Sequence, residues 1–352
     1  MSSEQQELST TTSTTSTTTN NGSGSDGTSQ SSSSSSQRLI ETKLKGHKDS
    51  VVTIALHKSQ PLLASGSDDC TVRIWDTNKN TSIKYHLIYC AHGTMISSYD
   101  LRNTSIILKE KSTQYQFNNE EINQLAFDPK YLYLAACDDS GQTKIIDINK
   151  KKLYDTLAKK HTNVCSSVVF RPNSKNDLLT GSMDYSIIHW EYLKGKVLHR
   201  QSFGSASLLN PKKSSSDDQE EAKSNQILNP PMVNSIDITQ DGRLVSAGIG
   251  NGNIVINEIS SFRQHLLIEE AHTAPISQVH FPLFSQDILL STASDSKLKF
   301  WDINNNNQKL ENEDRVKLWT NYHSKINWMT STKDSKLYIG DVSNDITLLT
   351  II

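Results

Sequence analysis

His47, Ser65 and Asp69, with Trp75 close behind, are the residue types of a nucleophilic triad. In that chemistry an acid holds an imidazole, the imidazole takes a hydroxyl proton, and the hydroxyl attacks a carbonyl. The same types return at His161, Thr180, Asp184 and Trp190, and again at His272, Thr292, Asp295 and Trp301. A catalytic constellation occurs once in a chain, whereas a device that fastens a fold recurs with the unit it fastens. The recurrence assigns these residues to structure, and breaking one link should leave a buried partner unsatisfied at a cost of ~1–3 kcal/mol. Gly248-Ile249-Gly250-Asn251-Gly252 has the look of a phosphate-cradling loop. A dinucleotide fingerprint opens a helix, but here Ile254-Val255-Ile256 follows as a strand, and Asn251-Gly252 is a hairpin turn signal. Neither catalytic residues nor cofactor-binding residues emerge.

The elements that must position these residues are short strands. In the stretch 44–76, Val52, Ile54 and Leu56 alternate with polar neighbours, Leu62 to Ala64 read as a second strand, and Val72 to Trp75 as a third. Ser67-Asp68-Asp69-Cys70 supplies the tight turn between the last two. One such unit cannot bury its own faces, so copies must recur. Aligned on the Trp75 position, the copies end at Trp75, Tyr99, Ile146, Trp190, Asn257, Trp301 and Leu349, at intervals of 24, 47, 44, 67, 44 and 48 residues. The long interval contains a polar insertion at about 204–224, read as a flexible loop between the fourth and fifth units. The short one leaves residues 86–102 to supply the inner two strands of a truncated second unit. In the third copy Glu120-Glu121 stand where an opening His would be, the fifth lacks both His and Trp, and the seventh keeps only His323. The chain stops on a third strand, so residues 38–44 are expected to close the ring as the outer strand of the last unit. Residues 1–37, almost all Ser, Thr, Asn, Gln and Gly, are expected to be a disordered tail, leaving 38–352 as the folded domain.

Composition excludes several classes. The chain has 352 residues and a formal net charge of -2, so no global basic field draws nucleic acid or an acidic membrane surface. Its 4 cysteines (Cys70, Cys90, Cys137, Cys165) lack metal-ligand spacing and are read as free thiols packed inside the units. No cofactor or metal is implied. There is no secretory signal and no apolar run long enough to span a bilayer, which points to the cytoplasm, the nucleus or both. Lys150-Lys151-Lys152 and Lys159-Lys160 flank the expected outer strand of the third unit, and are read as solvated edge charges.

A Gly46-His47 start and a Trp75-Asp76 end resemble a WD repeat, the blade unit of a β-propeller. The resemblance implies an all-β, seven-bladed propeller with an irregular, shortened second blade. It also implies that each His, Ser or Thr, Asp and Trp set is a buried hydrogen-bond chain. Outside the generic positions, Asn119-Glu120-Glu121-Ile122-Asn123, Asp138 to Gly141, Lys144 to Asp147, His161 to Val168, Phe170-Arg171-Pro172, Gln226 to Pro230 and Lys325-Ile326-Asn327-Trp328 resemble the family of WD repeat-containing protein 53. That family is an interaction scaffold similar to substrate receptors of cullin-4 ubiquitin ligases. Such receptors dock on the damage-specific DNA-binding adaptor through a Trp-Asp-x-Arg box at the end of a blade's third strand. Tyr99-Asp100-Leu101-Arg102 matches it with Tyr in place of Trp, so Tyr99, Asp100 and Arg102 are the candidate docking residues. The reading is a non-enzymatic, monomeric propeller working inside a protein complex. The alternatives are a general assembly scaffold with no ligase link and, less favoured, an enzymatic or nucleic-acid-binding propeller.

Overall fold

A computed structural model describes residues 8–9, 39–57, 61–77, 87–103, 108–158, 160–204, 229–304 and 312–352. The insertion and nearly all of the tail therefore lie outside the described residues. Seven antiparallel sheets follow one another along the chain, which defines a seven-bladed β-propeller. Helical turns are confined to Tyr192–Lys194 and Asn312–Arg315 among the described residues. The chain divides into two compact units, residues 1–82 with 277–352, and residues 83–276.

In the first unit, blade one has three described strands, Val51–Leu56, Leu62–Ser67 and Val72–Asp76. Blade six is Ile276–His280, Ile288–Ala293, Lys297–Asp302 and Val316–Asn321. Blade seven is Ile326–Ser331, Lys336–Asp341 and Asp345–Ile351, and its next strand is Leu39–Lys45 from the other end of the chain, with Leu39 opposite Ile351 and Lys45 opposite Asp345. Leu8–Ser9 adds a short strand beyond it, paired to Leu44 and Lys43, where composition alone suggests no order. Apolar clusters fill the space between blades: Leu290, Phe300, Met329 and Ile339 between six and seven, and Ile54, Leu63, Tyr338 and Ile346 between seven and one.

In the second unit, blade two is Leu87–His92, Met95–Asp100 and a final strand of only three residues, Thr113–Tyr115. Blades three, four and five each carry four strands. Blade three is Ile122–Phe127, Tyr133–Asp138, Thr143–Asp147 and Lys152–Leu157. Blade four is Cys165–Phe170, Asp177–Ser182, Ser186–Glu191 and Lys196–Ser202. Blade five is Val233–Ile238, Leu244–Ile249, Ile254–Glu258 and Gln264–Ile268. The glycine-rich stretch of blade five is the turn between its second and third strands. Gly252 has φ +87, and a Cβ there would meet His272 O at 2.1 Å, so the position tolerates no side chain.

Blades are also latched through backbone. The second residue of a first strand reaches the next first strand: Asn123 Nδ2 donates to Cys165 O at 3.2 Å, Ser166 Oγ to Val233 O at 2.6 Å, and Asn234 Nδ2 to Ile276 O at 2.9 Å. In the first unit Asn327 Nδ2 does the same to Val51 O at 3.1 Å. Each bond satisfies a carbonyl that has no ladder partner on that side. The recurring apolar-Asn pair (Ile122-Asn123, Val233-Asn234, Ile326-Asn327) was a sequence signal that strand periodicity alone does not interpret.

Candidate functional site

The first hydrogen-bond chain assembles where blade one's turn meets its strands. His47 Nδ1 lies 3.0 Å from Asp69 Oδ2, His47 Nε2 lies 2.7 Å from Ser65 Oγ, and Trp75 Nε1 donates to Ser65 Oγ at 2.8 Å. An ionised carboxylate only accepts, so Nδ1 carries the proton, Nε2 accepts, and the Ser65 hydroxyl donates to it. Burial alone would raise the Asp69 pKa. The Thr71 hydroxyl, the Lys48 and Thr71 N–H groups and His47 outweigh it and hold the carboxyl well below the usual range. Gly46 precedes the histidine because a Cβ there would press on the Trp75 ring at 2.8 Å.

Blade four repeats the arrangement. His161 joins Asp184 Oδ2 at 3.0 Å and Thr180 Oγ1 at 2.8 Å, and Trp190 Nε1 donates to Thr180 Oγ1 at 2.9 Å. Asp184 is likewise held well below the carboxylate range, desolvation being outweighed by His161, Ser186 and the Thr162 N–H. Bond for bond this is the wiring of a nucleophilic triad, but Ser65 is 1% and Thr180 0% exposed, and each oxygen already accepts an indole N–H. Neither can reach an acyl carbon. The wiring fastens a turn.

The other copies depart from the sequence expectation. In blade six Trp301 Nε1 donates to Ser291 Oγ at 2.7 Å, not to Thr292, whose buried hydroxyl has no hydrogen-bond partner. Asp295 accepts the Lys297 N–H at 3.1 Å, and His272 is buried. In blade three the opening role falls to Asn118, whose Nδ2 donates to Asp138 Oδ2 at 2.8 Å, rather than to the position of Glu120-Glu121. In blade seven Tyr322 takes it, its phenol joining Asp341 Oδ2 at 2.6 Å and Thr347 Oγ1 at 2.7 Å. His323 stands at the exposed flank, 3.4 Å from the same carboxylate. Burial, then Asp341, pushes the Tyr322 phenol far above its usual value, so it stays a donor.

The candidate docking residues sit in blade two. Asp100 ends the middle one of the three described strands of blade two, and the chain then leaves for the outer strand Thr113–Tyr115. Asp100 accepts the backbone N–H of Arg102 at 2.9 Å and grips the guanidinium through Nε at 3.0 Å and one terminal nitrogen. The Arg102 side chain remains 63% exposed, Asp100 29%, and Tyr99 is half-buried. The Asp100 bonds raise the Arg102 pKa further above its already high value, so its charge is permanent.

Reactive chemistry is sparse elsewhere. Among the described residues no cluster of three or more His, Cys, Asp or Glu is arranged to hold a metal ion. Cys137 and Cys165 are buried and Cys90 is half-buried, its thiol pushed up to about 11 by burial, but Cys70 is exposed on its turn, not packed inside. No described helix is long and apolar enough to cross a membrane.

Four-stranded blades fastened by Asp-His-Ser/Thr-Trp chains define a WD-repeat propeller. The repeat profile described as "WD domain, G-beta repeat" matches residues 38–76, 151–191 and 263–302. The WD repeat-containing protein 53 homolog of Dictyostelium discoideum is 47% identical over 348 residues, covering 89% of this chain and 95% of that protein. The chain belongs to the WD repeat-containing protein 53 family. The nuclear distribution protein nudF of Aspergillus niger is 26% identical over 45% of this chain and 30% of its own length. The TSET complex member tstE of Dictyostelium discoideum is 33% identical over 33% of this chain and 7% of its own.

Proposed function

We propose that this propeller is a non-enzymatic protein-interaction scaffold that docks through Tyr99, Asp100 and Arg102 on the damage-specific DNA-binding adaptor of a cullin-4 ubiquitin ligase, as a substrate receptor. The observation that supports it is the exposed Arg102 fork, pre-set by Asp100 through both its backbone N–H and its side chain. A guanidinium held on one edge keeps its remaining N–H groups for a partner's carbonyl or carboxylate, and ordering it in advance lowers the entropic cost of binding. Burial of the triad-like hydroxyls of Ser65 and Thr180 speaks against an enzyme. A receptor of this kind would work in the cytoplasm or the nucleus. The test is affinity purification under mild lysis with wild type and Arg102→Ala. Wild type should recover the adaptor and the variant should not. If wild type recovers none, or the variant recovers as much, the ligase link falls and the general assembly scaffold remains.

A further inference from the structure

One end of blades three and four gathers exposed apolar side chains and unpaired lysines. At this end the first strand of each blade stops and its outer strand begins. Of the large hydrophobic side chains exposed among the described residues, Tyr131, Leu132, Leu153, Tyr154 and Leu198 lie here, while blade seven contributes Ile40, Val342 and Ile352 and no other blade more than two. They are supported from beneath by a continuous aromatic layer. The Tyr133 ring lies 5.1 Å from Tyr154 and 5.8 Å from Tyr192, and Tyr192 lies 5.0 Å from Phe170. The Tyr154 hydroxyl donates to Leu193 O at 3.1 Å, which ties the two blades into one surface. Beside Leu198 the surface dips into an open depression lined by Asn173, Lys175 and Asn176 together with Asp177, Glu191 and Asp241.

The charges at this rim are one-sided once internal pairs are removed. Asp147, Glu191, Asp177 and Asp241 are taken by Lys150, Lys194, Arg171 and Arg243. Asp128 is buried and spends its oxygens on the backbone N–H groups of Lys130, Leu132 and Tyr133. Asp155 is half-buried and holds the Thr156 N–H. Lys130, Lys151, Lys152, Lys175 and Lys196 are exposed and have no acidic partner among the described residues. A face that is basic and apolar on a chain of net charge -2 calls for a local acidic ligand, not a general polyanion.

We infer that this rim binds an acidic peptide segment of a partner protein, its carboxylates meeting Lys151, Lys152 and Lys196 and its apolar residues covering Leu153, Tyr154 and Leu198. The discrete spacing of free lysines between neutralised pairs suits single carboxylates, while contiguous phosphates or an anionic bilayer would also face Asp147 and Glu191. These residues belong to blades three and four, whereas Arg102 follows a strand of blade two, and the inference does not rest on the Arg102 reading.

The test uses the purified full chain and a fluorescein-labelled 12-residue peptide, Glu-Leu-Asp-Phe repeated three times, read by anisotropy. Binding should weaken at least tenfold in Lys151→Glu/Lys152→Glu and in Leu153→Ser/Leu198→Ser. It should hold in Lys325→Glu/Lys333→Glu, which carries the same charge change on blade seven. In the wild type, bound peptide should protect Lys151, Lys152 and Lys196 from acetylation, a readout that needs no variant to fold. Four results would overturn the inference: no binding, equal loss in the blade-seven control, equal binding of a Glu-Ser peptide lacking apolar residues, or preference for phosphatidylserine vesicles or single-stranded DNA over the peptide.

Discussion

At the scale of single residues, the hydrogen-bond chains make the fold sensitive to acid. Asp69 and Asp184 are held well below the ordinary carboxylate value of about 3.9. A depressed folded value adds stability above the unfolded value, and that contribution is lost as pH falls through the folded one. Thermal melts should therefore fall as pH drops below about 4, and Asp184→Asn should both lower the neutral melting point and flatten this acid limb. An unchanged acid limb in the variant would show that Asp184 does not contribute to it. The register of blade six offers a second check. Ser291→Ala orphans the Trp301 N–H and should cost ~1–3 kcal/mol, whereas Thr292→Val removes a hydroxyl that bonds nothing and should be close to neutral by chemical denaturation. The repeated His and Asp positions were legible from spacing. The hydroxyl was read one residue late because Ser291 and Thr292 are adjacent and either type suits the role. Asn118 and Tyr322 were not legible, since the role demands only a buried donor to the turn aspartate, and an amide or a phenol meets it as well as an imidazole.

At the scale of elements, seven copies and a short second blade were read from the intervals between positions aligned on Trp75. What these could not give was the length and pairing of each strand. Among the described residues, blade two shows a tight Leu87–His92 to Met95–Asp100 hairpin and a three-residue edge, and the candidate arginine follows the middle of these three strands. The latches between first strands were invisible to periodicity because they use residues of the polar phase, where Asn123 looks like any solvent-facing position. Among the described residues blade two carries fewer ladder pairings than blades three to five, and local opening follows such bonds and buried contacts. Hydrogen exchange should thus be faster in residues 87–103 and 108–115 than in the strands of blades three to five. Equal protection across the four blades of this unit would contradict that expectation.

At the scale of the whole molecule, no reactive groups converge at the surface among the described residues, and the proposed recognition draws on surface groups that the fold holds still. Arg102 is the sharpest of these for the proposed docking, and its geometry makes a demand that charge alone does not. Lysine at 102 would keep the positive charge but offer one compact ammonium in place of a planar fork. It could not at once hold both oxygens of Asp100 and present a second edge outward. Arg102→Lys should therefore lose most adaptor recovery, close to Arg102→Ala, while Asp100→Ala should lose part of it by freeing the guanidinium to sample other rotamers. All three changes are at exposed or half-exposed positions, so stability should stay within ~0.5 kcal/mol of wild type. Recovery with lysine equal to wild type would reduce the contact to simple charge attraction and remove the reason for assigning Tyr99, Asp100 and Arg102 a shared role.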